Sequence, residues 1–171
     1  MVTQPLPQLK DRILKYTGNF DFILDAKGRV SAPARIREVL DMYGVTSLTL
    51  RFMELGEHDC IRVYPTSYYN DVILAKLVDF QDGETPDDTF MISQLTANAH
   101  QVKLDSQGRI NIPDELLKKV EIKKNIRLIG MGNFFDMWRP DTFDAFYAEQ
   151  LAKKGNGQGR SGDGADRSGS T

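Results

Sequence analysis

A ten-residue pattern occurs twice in this chain of 171 residues, at an offset of 80 residues. Residues 24–33 read Leu-Asp-Ala-Lys-Gly-Arg-Val-Ser-Ala-Pro, and residues 104–113 read Leu-Asp-Ser-Gln-Gly-Arg-Ile-Asn-Ile-Pro. The Leu, Asp, Gly, Arg and Pro positions are identical and no gap is needed. Downstream, residues 61–65 are similar to residues 135–140, with one residue inserted before the proline. Two such copies predict an internal pseudo-dimer rather than a solenoid.

The centre of each copy is a tight turn. Asp25 and Asp105 are placed so that their carboxylates can accept backbone N–H bonds within the turn. Gly28 and Gly108 follow three residues later, where a hairpin loop commonly needs a positive φ. We therefore interpret these four residues as structural.

The same succession of elements is predicted in both halves. Each half reads as strand, tight turn, short strand, helix, strand, aromatic strand, proline and helix. The first strands are predicted over 20–24 and 101–104, where apolar residues alternate. Pro33 and Pro113 suit the first helical position, because the missing N–H would be unpaired there. Outside the repeats we predict helices and a loop from spacing and composition: helices over 68–80, 90–99 and 142–153, and a loop over 81–88.

The charge of the chain is distributed unevenly. There are 22 Lys+Arg and 24 Asp+Glu, and this formal net charge of −2 by itself argues against a strongly basic nucleic-acid binder. Residues 25–40 nevertheless sum to +2 and residues 103–127 to +3, while residues 53–90 sum to −7. An acidic connector thus separates two basic islands, one on each copy of the turn. Solvated helix faces are the ordinary alternative explanation of such islands.

Several other classes of protein find no support in the sequence. Cys60 is the only cysteine, so no internal disulfide can form and a reducing cytoplasm is the simplest compartment. No apolar run approaches the ~20 residues of a membrane helix, and the start of the chain lacks the features of a signal peptide. Residues 57–60, Glu-His-Asp-Cys, cannot all converge on one metal ion, and a solvent loop is expected there. We predict no enzyme, no catalytic residue, no metal site, no cofactor and no membrane partner.

The doubled turn resembles the MraZ family of bacterial transcription regulators, within the SpoVT/AbrB-like superfamily. The segments that carry the resemblance are 17–20, 24–29, 33–38, 104–110 and 135–138. The resemblance implies an α+β fold in which two pseudo-symmetric SpoVT/AbrB-like halves form a swapped-hairpin-type β-barrel with surrounding helices.

The same resemblance, together with the composition, suggests a division of the chain into five parts. These are an N-terminal extension (1–15), a first SpoVT/AbrB-like half (16–80), an acidic loop and linking helix (81–98), a second half (99–153) and a disordered Gly/Ser-rich tail (154–171). The tail has almost no apolar surface to bury, which is why we expect it to remain disordered.

The resemblance also implies a function, sequence-specific binding of double-stranded DNA by a cytoplasmic, nucleoid-associated regulator. Family members commonly act as repressors of the division and cell-wall gene cluster, and bind direct-repeat boxes as ring-shaped homo-oligomers. The candidate DNA-binding residues are Lys27, Arg29, Arg35, Arg37, Gln107 and Arg109. Arginine suits the edge of guanine, lysine suits a phosphate, and glutamine suits adenine or a phosphate oxygen.

Other interpretations of the same residues stay open. Arg29 and Arg109 could each form a salt bridge with the aspartate of its own turn, and Arg37 could pair with acidic neighbours. Leu117 occupies the position matching Arg37, where arginine is common in the family, so the second helix could contact DNA less. Two other functions are compatible with the sequence: a non-enzymatic protein-interaction scaffold that uses the acidic connector, and an antitoxin-like module of the same superfamily.

Overall fold

Each copy of the turn is followed by the same succession of elements. The computed structural model describes residues 15–157. The first half contains β1 (Asn19–Ile23), β2 (Arg29–Ser31), α1 (Ala34–Met42), β3 (Ser47–Leu55), β4 (His58–Pro65) and α2 (Thr66–Tyr68). A π-helical stretch (Tyr69–Ile73), a 3-10 stretch (Leu74–Gly83) and α3 (Pro86–Leu95) follow α2 and lead to the second half. The second half contains β5 (Ala99–Lys103), β6 (Arg109–Asn111), α4 (Asp114–Lys119), β7 (Asn125–Gly130), β8 (Phe135–Trp138) and α5 (Pro140–Gly157). The predicted α+β class and order of elements are confirmed.

The helix starts differ from those predicted. Pro33 and Pro113 precede α1 and α4 instead of occupying their first positions, because their ψ angles of 147° and 132° are extended. α3 begins at Pro86 because the Thr85 side chain caps it by accepting a hydrogen bond from the Asp88 N–H at 3.1 Å. The helix predicted over 90–99 therefore starts and ends four residues earlier, and the loop predicted over 81–88 is shorter.

Strands of both halves share one antiparallel sheet, in the order β1-β7-β8-β4-β3-β5. β1 of the first half pairs with β7 of the second, and β5 of the second half pairs with β3 of the first. When each strand is replaced by its counterpart in the other half, the result is the same order read from the opposite edge of the sheet. Within residues 15–157 the sheet ends at β1 and β5 and does not close into the predicted barrel, because β2 and β6 pair with each other in a separate two-stranded sheet.

The main core is built from side chains of both halves. Residues with 0% or 1% exposure in this core include Ile36, Leu40, Leu48, Leu50, Ile61, Ile110, Leu116, Ile126, Leu128 and Phe135. Because burial of apolar area is the main favourable contribution to folding, the halves depend on each other for stability. Trp138, on the aromatic strand of the second half, is also buried, at 2% exposure.

One buried ion pair lies on the face of the sheet opposite to this core, beside Cys60 and Trp138. Arg62 on β4 donates from Nε and Nη2 to the two carboxylate oxygens of Asp136 on β8, at 2.9 and 3.1 Å. The Asp136 side chain is only 1% exposed. Burial raises the pKa of Asp136, and the Arg62 guanidinium opposes that shift. Loss of either partner would leave a buried charge unpaired, which is strongly destabilising.

The segment 57–60 is not a solvent loop, and that prediction is wrong. β4 already begins at His58, and Cys60 is fully buried against a satellite cluster that includes Trp138 and Phe146. His58 Nε2 lies 2.7 Å from a carboxylate oxygen of Glu149 on α5. Alternation along β4 places Asp59 on the opposite face from His58 and Cys60, so these three side chains do not converge on one point.

The ends of the chain are only partly described. α5 continues to Gly157, four residues past the predicted end of the last helix. The N-terminal extension up to residue 14 and the tail from residue 158 lie outside the described residues. Among residues 15–157, no helix combines the length and apolar character needed to cross a membrane.

Candidate nucleic-acid interface

The first turn is organised by one carboxylate. Asp25 accepts hydrogen bonds from the backbone N–H groups of Lys27 and Arg29, each at 2.9 Å, and from Arg29 Nε at 2.7 Å. Gly28 has a φ of 74°, as its place in the turn requires. The Arg29 N–H is the main cause that lowers the pKa of Asp25, and the Arg29 guanidinium and the Lys27 N–H lower it further. The carboxylate is therefore ionised near neutral pH and holds the arginine side chain against the turn.

The second turn repeats this geometry almost atom for atom. Asp105 accepts from the backbone N–H groups of Gln107 and Arg109 at 2.9 Å and from Arg109 Nε at 2.7 Å. Gly108 has a φ of 70°. The same contacts, led by the Arg109 N–H, lower the pKa of Asp105. The salt bridge considered as an alternative for each arginine is thus present in both turns.

The short strands β2 and β6 form an antiparallel ribbon that joins the two turns. The register is Arg29 opposite Asn111, Val30 opposite Ile110 and Ser31 opposite Arg109. The central pair is buried, at 1% and 0% exposure, and faces the core. Since side chains alternate along a strand, the other four side chains share the outer face of the ribbon. This outer face is the candidate interface.

The two turns lie at opposite ends of the ribbon. The carbonyl of Gly28 accepts the N–H of Ile112 at 3.0 Å, and the carbonyl of Gly108 accepts the N–H of Ala32 at 3.2 Å. Ala32, which lies opposite Gly108, is four positions after Gly28. At about 3.4 Å per residue, the two turn glycines are therefore about 14 Å apart along the ribbon. We call the end with turn 25–28 the first end and the end with turn 105–108 the second end.

Arg29 and Arg109 are brought together on the outer face. Diagonal neighbours in an antiparallel pair are about 7–8 Å apart, and their Cβ atoms are somewhat closer. Their side chains are 25% and 27% exposed. Only Nε of each guanidinium is engaged within residues 15–157, so the Nη groups have no hydrogen-bond partner there. The ribbon therefore presents two guanidinium groups of fixed orientation.

The remaining candidates lie at the ends. Lys27 and Gln107 are exposed at the tips of their turns, and Arg35 is exposed on the first turn of α1. Arg37 instead packs on the second end, where its Nη2 donates to the backbone carbonyl of Gln107 at 3.1 Å. A Cβ atom on Gly108 would lie 2.8 Å from Arg37 Nε. Arg37 thus already has a contact with the turn of the other half.

A leucine occupies the corresponding place at the first end. Leu117 is 8% exposed, and its Cδ1 would lie 3.3 Å from a Cβ atom on Gly28. The helix after each ribbon strand therefore covers the turn of the opposite half. Arg37 covers the turn at the second end, and Leu117 covers the turn at the first end.

The two ends also differ in charge. In the turns and the helices that follow them, six pairs of positions related by the offset of 80 residues differ in charge: Lys27 and Gln107, Ala34 and Asp114, Arg35 and Glu115, Arg37 and Leu117, Glu38 and Lys118, and Val39 and Lys119. Glu115 lies 2.8 Å from His100 Nε2, and Lys118 of the same helix is paired with Asp114 at 2.7 Å. Within residues 15–157, the cationic side chains of these turns and helices without an acidic partner are Lys27, Arg35 and Arg37 in the first half and Lys119 in the second.

Two residues of the outer face are absent from the candidates chosen by sequence. Ser31 and Asn111 are exposed and share the face with the two arginines. The sequence signal for them is the alternation of side chains around Val30 and Ile110. Residues two apart in a strand point the same way, so Ser31 is expected on the same face as Arg29, and Asn111 on the same face as Arg109.

Comparison with known proteins finds relatives that match most of the chain. A family model described as "MraZ protein, putative antitoxin-like" matches residues 95–159. A protein of Nitrosococcus oceani named "Transcriptional regulator MraZ" is 34% identical, over 75% of this chain and 84% of its own length. Proteins of the same name from Cytophaga hutchinsonii and Gluconacetobacter diazotrophicus are each 30% identical, over 81% and 88% of this chain and 93% and 98% of their own lengths. The chain belongs to the MraZ family.

Proposed function

We propose that the outer face of the β2–β6 ribbon binds double-stranded DNA in a sequence-specific manner, and that the protein is a regulator of transcription. The observation that carries this proposal is the presence of two arginines on one exposed ribbon face, each held at Nε by an aspartate. The name shared by the relatives, transcriptional regulator, supports the same function.

The proposed contact follows from the geometry of the guanidinium group. A two-stranded ribbon fits the major groove of B-DNA, which is about 12 Å wide. Arginine can donate two parallel hydrogen bonds to O6 and N7 of guanine. Because Asp25 and Asp105 already hold Nε, less side-chain entropy is lost when the Nη groups bind. Arg29 and Arg109 would therefore recognise bases, whereas the mobile amine of Lys27 suits a phosphate.

We also propose that the protein binds DNA as an assembly of several protomers. The −2 net charge and the aspartate beside each arginine limit the attraction between one protomer and DNA. We propose that several protomers in a ring bind successive direct-repeat boxes, since linked binding events gain from high effective concentration. In this proposal the halves form a swapped-hairpin-type arrangement, and the protein represses the division and cell-wall gene cluster in the nucleoid.

The decisive experiment measures DNA affinity by fluorescence anisotropy, with the full chain and the DNA upstream of its own gene. We expect Arg29→Lys and Arg109→Lys each to weaken binding about 5- to 150-fold, because lysine keeps the charge but cannot bond guanine in a bidentate manner. Arg139→Lys is the matched control, since Arg139 lies at the start of α5 and pairs with Asp141 and Glu121. Unchanged affinity in both ribbon variants would contradict the proposal.

A protein-interaction scaffold or antitoxin-like module is the second candidate. It is favoured by exposed apolar side chains of the connector, Val78 at 80% and Phe90 at 60% exposure, and by the description of the matching family model. A salt titration separates the two functions. Specific DNA binding weakens steeply as salt rises, whereas a scaffold shows no preference between repeat boxes and scrambled DNA.

A further inference from the structure

The outer face of the ribbon is symmetric in its arginines but not in their partners across the ribbon. Arg29 lies opposite Asn111, and Arg109 lies opposite Ser31. We propose that Asn111 and Ser31 are specificity-determining residues, each contacting the base next to that contacted by the opposing arginine. The difference between them then gives the bound DNA box a direction. This inference rests on the proposed function.

The register places these side chains at the distance that adjacent bases require. Directly opposed residues in an antiparallel pair have Cβ atoms about 4.5–5.5 Å apart. Successive base pairs are about 3.4 Å apart along the DNA axis, so opposed side chains reach neighbouring bases. The diagonal between Arg29 and Arg109, about 7–8 Å, corresponds to about two base-pair steps.

Both residues are available for such a contact. Ser31 and Asn111 are exposed, and within residues 15–157 neither side chain has a hydrogen-bond or ion-pair partner. A side chain that stabilised the ribbon itself would be expected to bond to its neighbours. These two instead point outward between the Arg–Asp pairs, with their polar atoms unengaged.

The two side chains differ in what they can distinguish. The amide of Asn111 can donate to N7 and accept from N6 of adenine, which selects one base. The hydroxyl of Ser31 makes a single contact that several bases satisfy. The first end, with Lys27 and Asn111, should therefore define its base more strictly than the second end, with Gln107 and Ser31.

The test is selection from a randomised double-stranded DNA library, with the full wild-type chain and three variants. Asn111→Ser should lose about 5- to 150-fold of discrimination at one position of the box, adjacent to a guanine. Ser31→Asn should gain a preference for adenine at the related position. The double exchange should transfer the strict position from one side of the box to the other.

Asn125→Ser is the matched control, because it makes the same chemical change at an exposed strand position in β7. It should select the wild-type box. A wild-type chain that selects no sequence overturns the proposed function together with this inference. A wild-type chain that selects a box which Asn111→Ser and Ser31→Asn select equally well overturns the inference alone.

Discussion

The first and second turns are nearly identical internally and differ in what covers them. Asp25 and Asp105 make the same three hydrogen bonds, with distances that agree within 0.1 Å. The side chain over each glycine differs, however, because Arg37 covers Gly108 and Leu117 covers Gly28. The geometry of each turn thus depends on residues within five positions of one another. The side chain that packs over the turn comes from the helix of the opposite half.

The largest expected effect concerns the buried side of the ribbon. We expect Ile110→Ala to lower the free energy of unfolding by about 2–5 kcal/mol, because it leaves a cavity beneath both strands. Ile110→Val, which makes the centre of the ribbon identical in the two copies, should lower it by about 0.5–1.5 kcal/mol. Ile23→Ala, at a position that is 62% exposed, is the control and should change little. Denaturant unfolding measures all three, and an equal loss for Ile23→Ala and Ile110→Ala would contradict the assignment of the buried face.

The two turn glycines provide the next comparison. Gly28→Ala and Gly108→Ala should each lower the free energy of unfolding by about 1–2 kcal/mol, because alanine is strained at positive φ. Gly108→Ala should in addition displace Arg37 and break its bond to the Gln107 carbonyl. Gly44→Ala reports the strain alone, since Gly44 has a φ of 62° and a Cβ atom added there would meet nothing within 4 Å. A loss for Gly108→Ala no larger than that for Gly44→Ala would show that the displacement carries no energetic penalty.

A smaller effect is expected when the covering side chain is changed. Arg37→Leu places at the second end the same residue type that packs over the turn at the first end. It should lower the free energy of unfolding by up to about 1 kcal/mol, because the hydrogen bond to the Gln107 carbonyl is lost. Amide hydrogen exchange should become faster in turn 105–108 and stay unchanged in turn 25–28. Faster exchange in both turns would mean that the ends are coupled rather than independent.

The smallest effect, which should be the same for both turns, is on the pH dependence of the free energy of unfolding. The pKa of both Asp25 and Asp105 lies below its ordinary value of about 3.9. Because the depressed pKa belongs to the folded state, the stabilisation is present above about pH 3.9 and is lost as pH falls through the lower, folded pKa. Asp25→Asn and Asp105→Asn should each flatten the same part of an acid titration of unfolding free energy. A change in only one variant would show that the turns are not equivalent in solution.

The turns and the order of elements could be predicted from the sequence because their causes are local. The Asp-x-x-Gly-Arg spacing specifies the turn, and alternation around Val30 and Ile110 specifies which side of each short strand is buried. The start of α3 is equally local, since Thr85 and Asp88 form its cap, but apolar spacing alone misses that signal. In the connector, Gln81 and Asp82 both adopt positive φ, which aspartate tolerates but which a glutamine side chain does not indicate.

Other features could not be predicted because they depend on residues far apart in the chain. The contact between Arg37 and the Gln107 carbonyl joins residues 70 positions apart, and no local pattern specifies which helix covers which turn. The burial of Cys60 depends likewise on Trp138 and Phe146. The register of β2 against β6, which places Asn111 beside Arg29, is a property of the assembled halves.

The exchange of first strands between the halves has a consequence for how the protein is made. β1 pairs with β7, and Asp21 on β1 bonds to Arg127, 106 residues later. During synthesis, β1 therefore has no partner until nearly three quarters of the chain has left the ribosome. Contacts of such long sequence separation slow folding and prolong the exposure of unpaired strand edges. We expect a ribosome-bound chain that ends before β7 to depend on chaperones more than the full chain does.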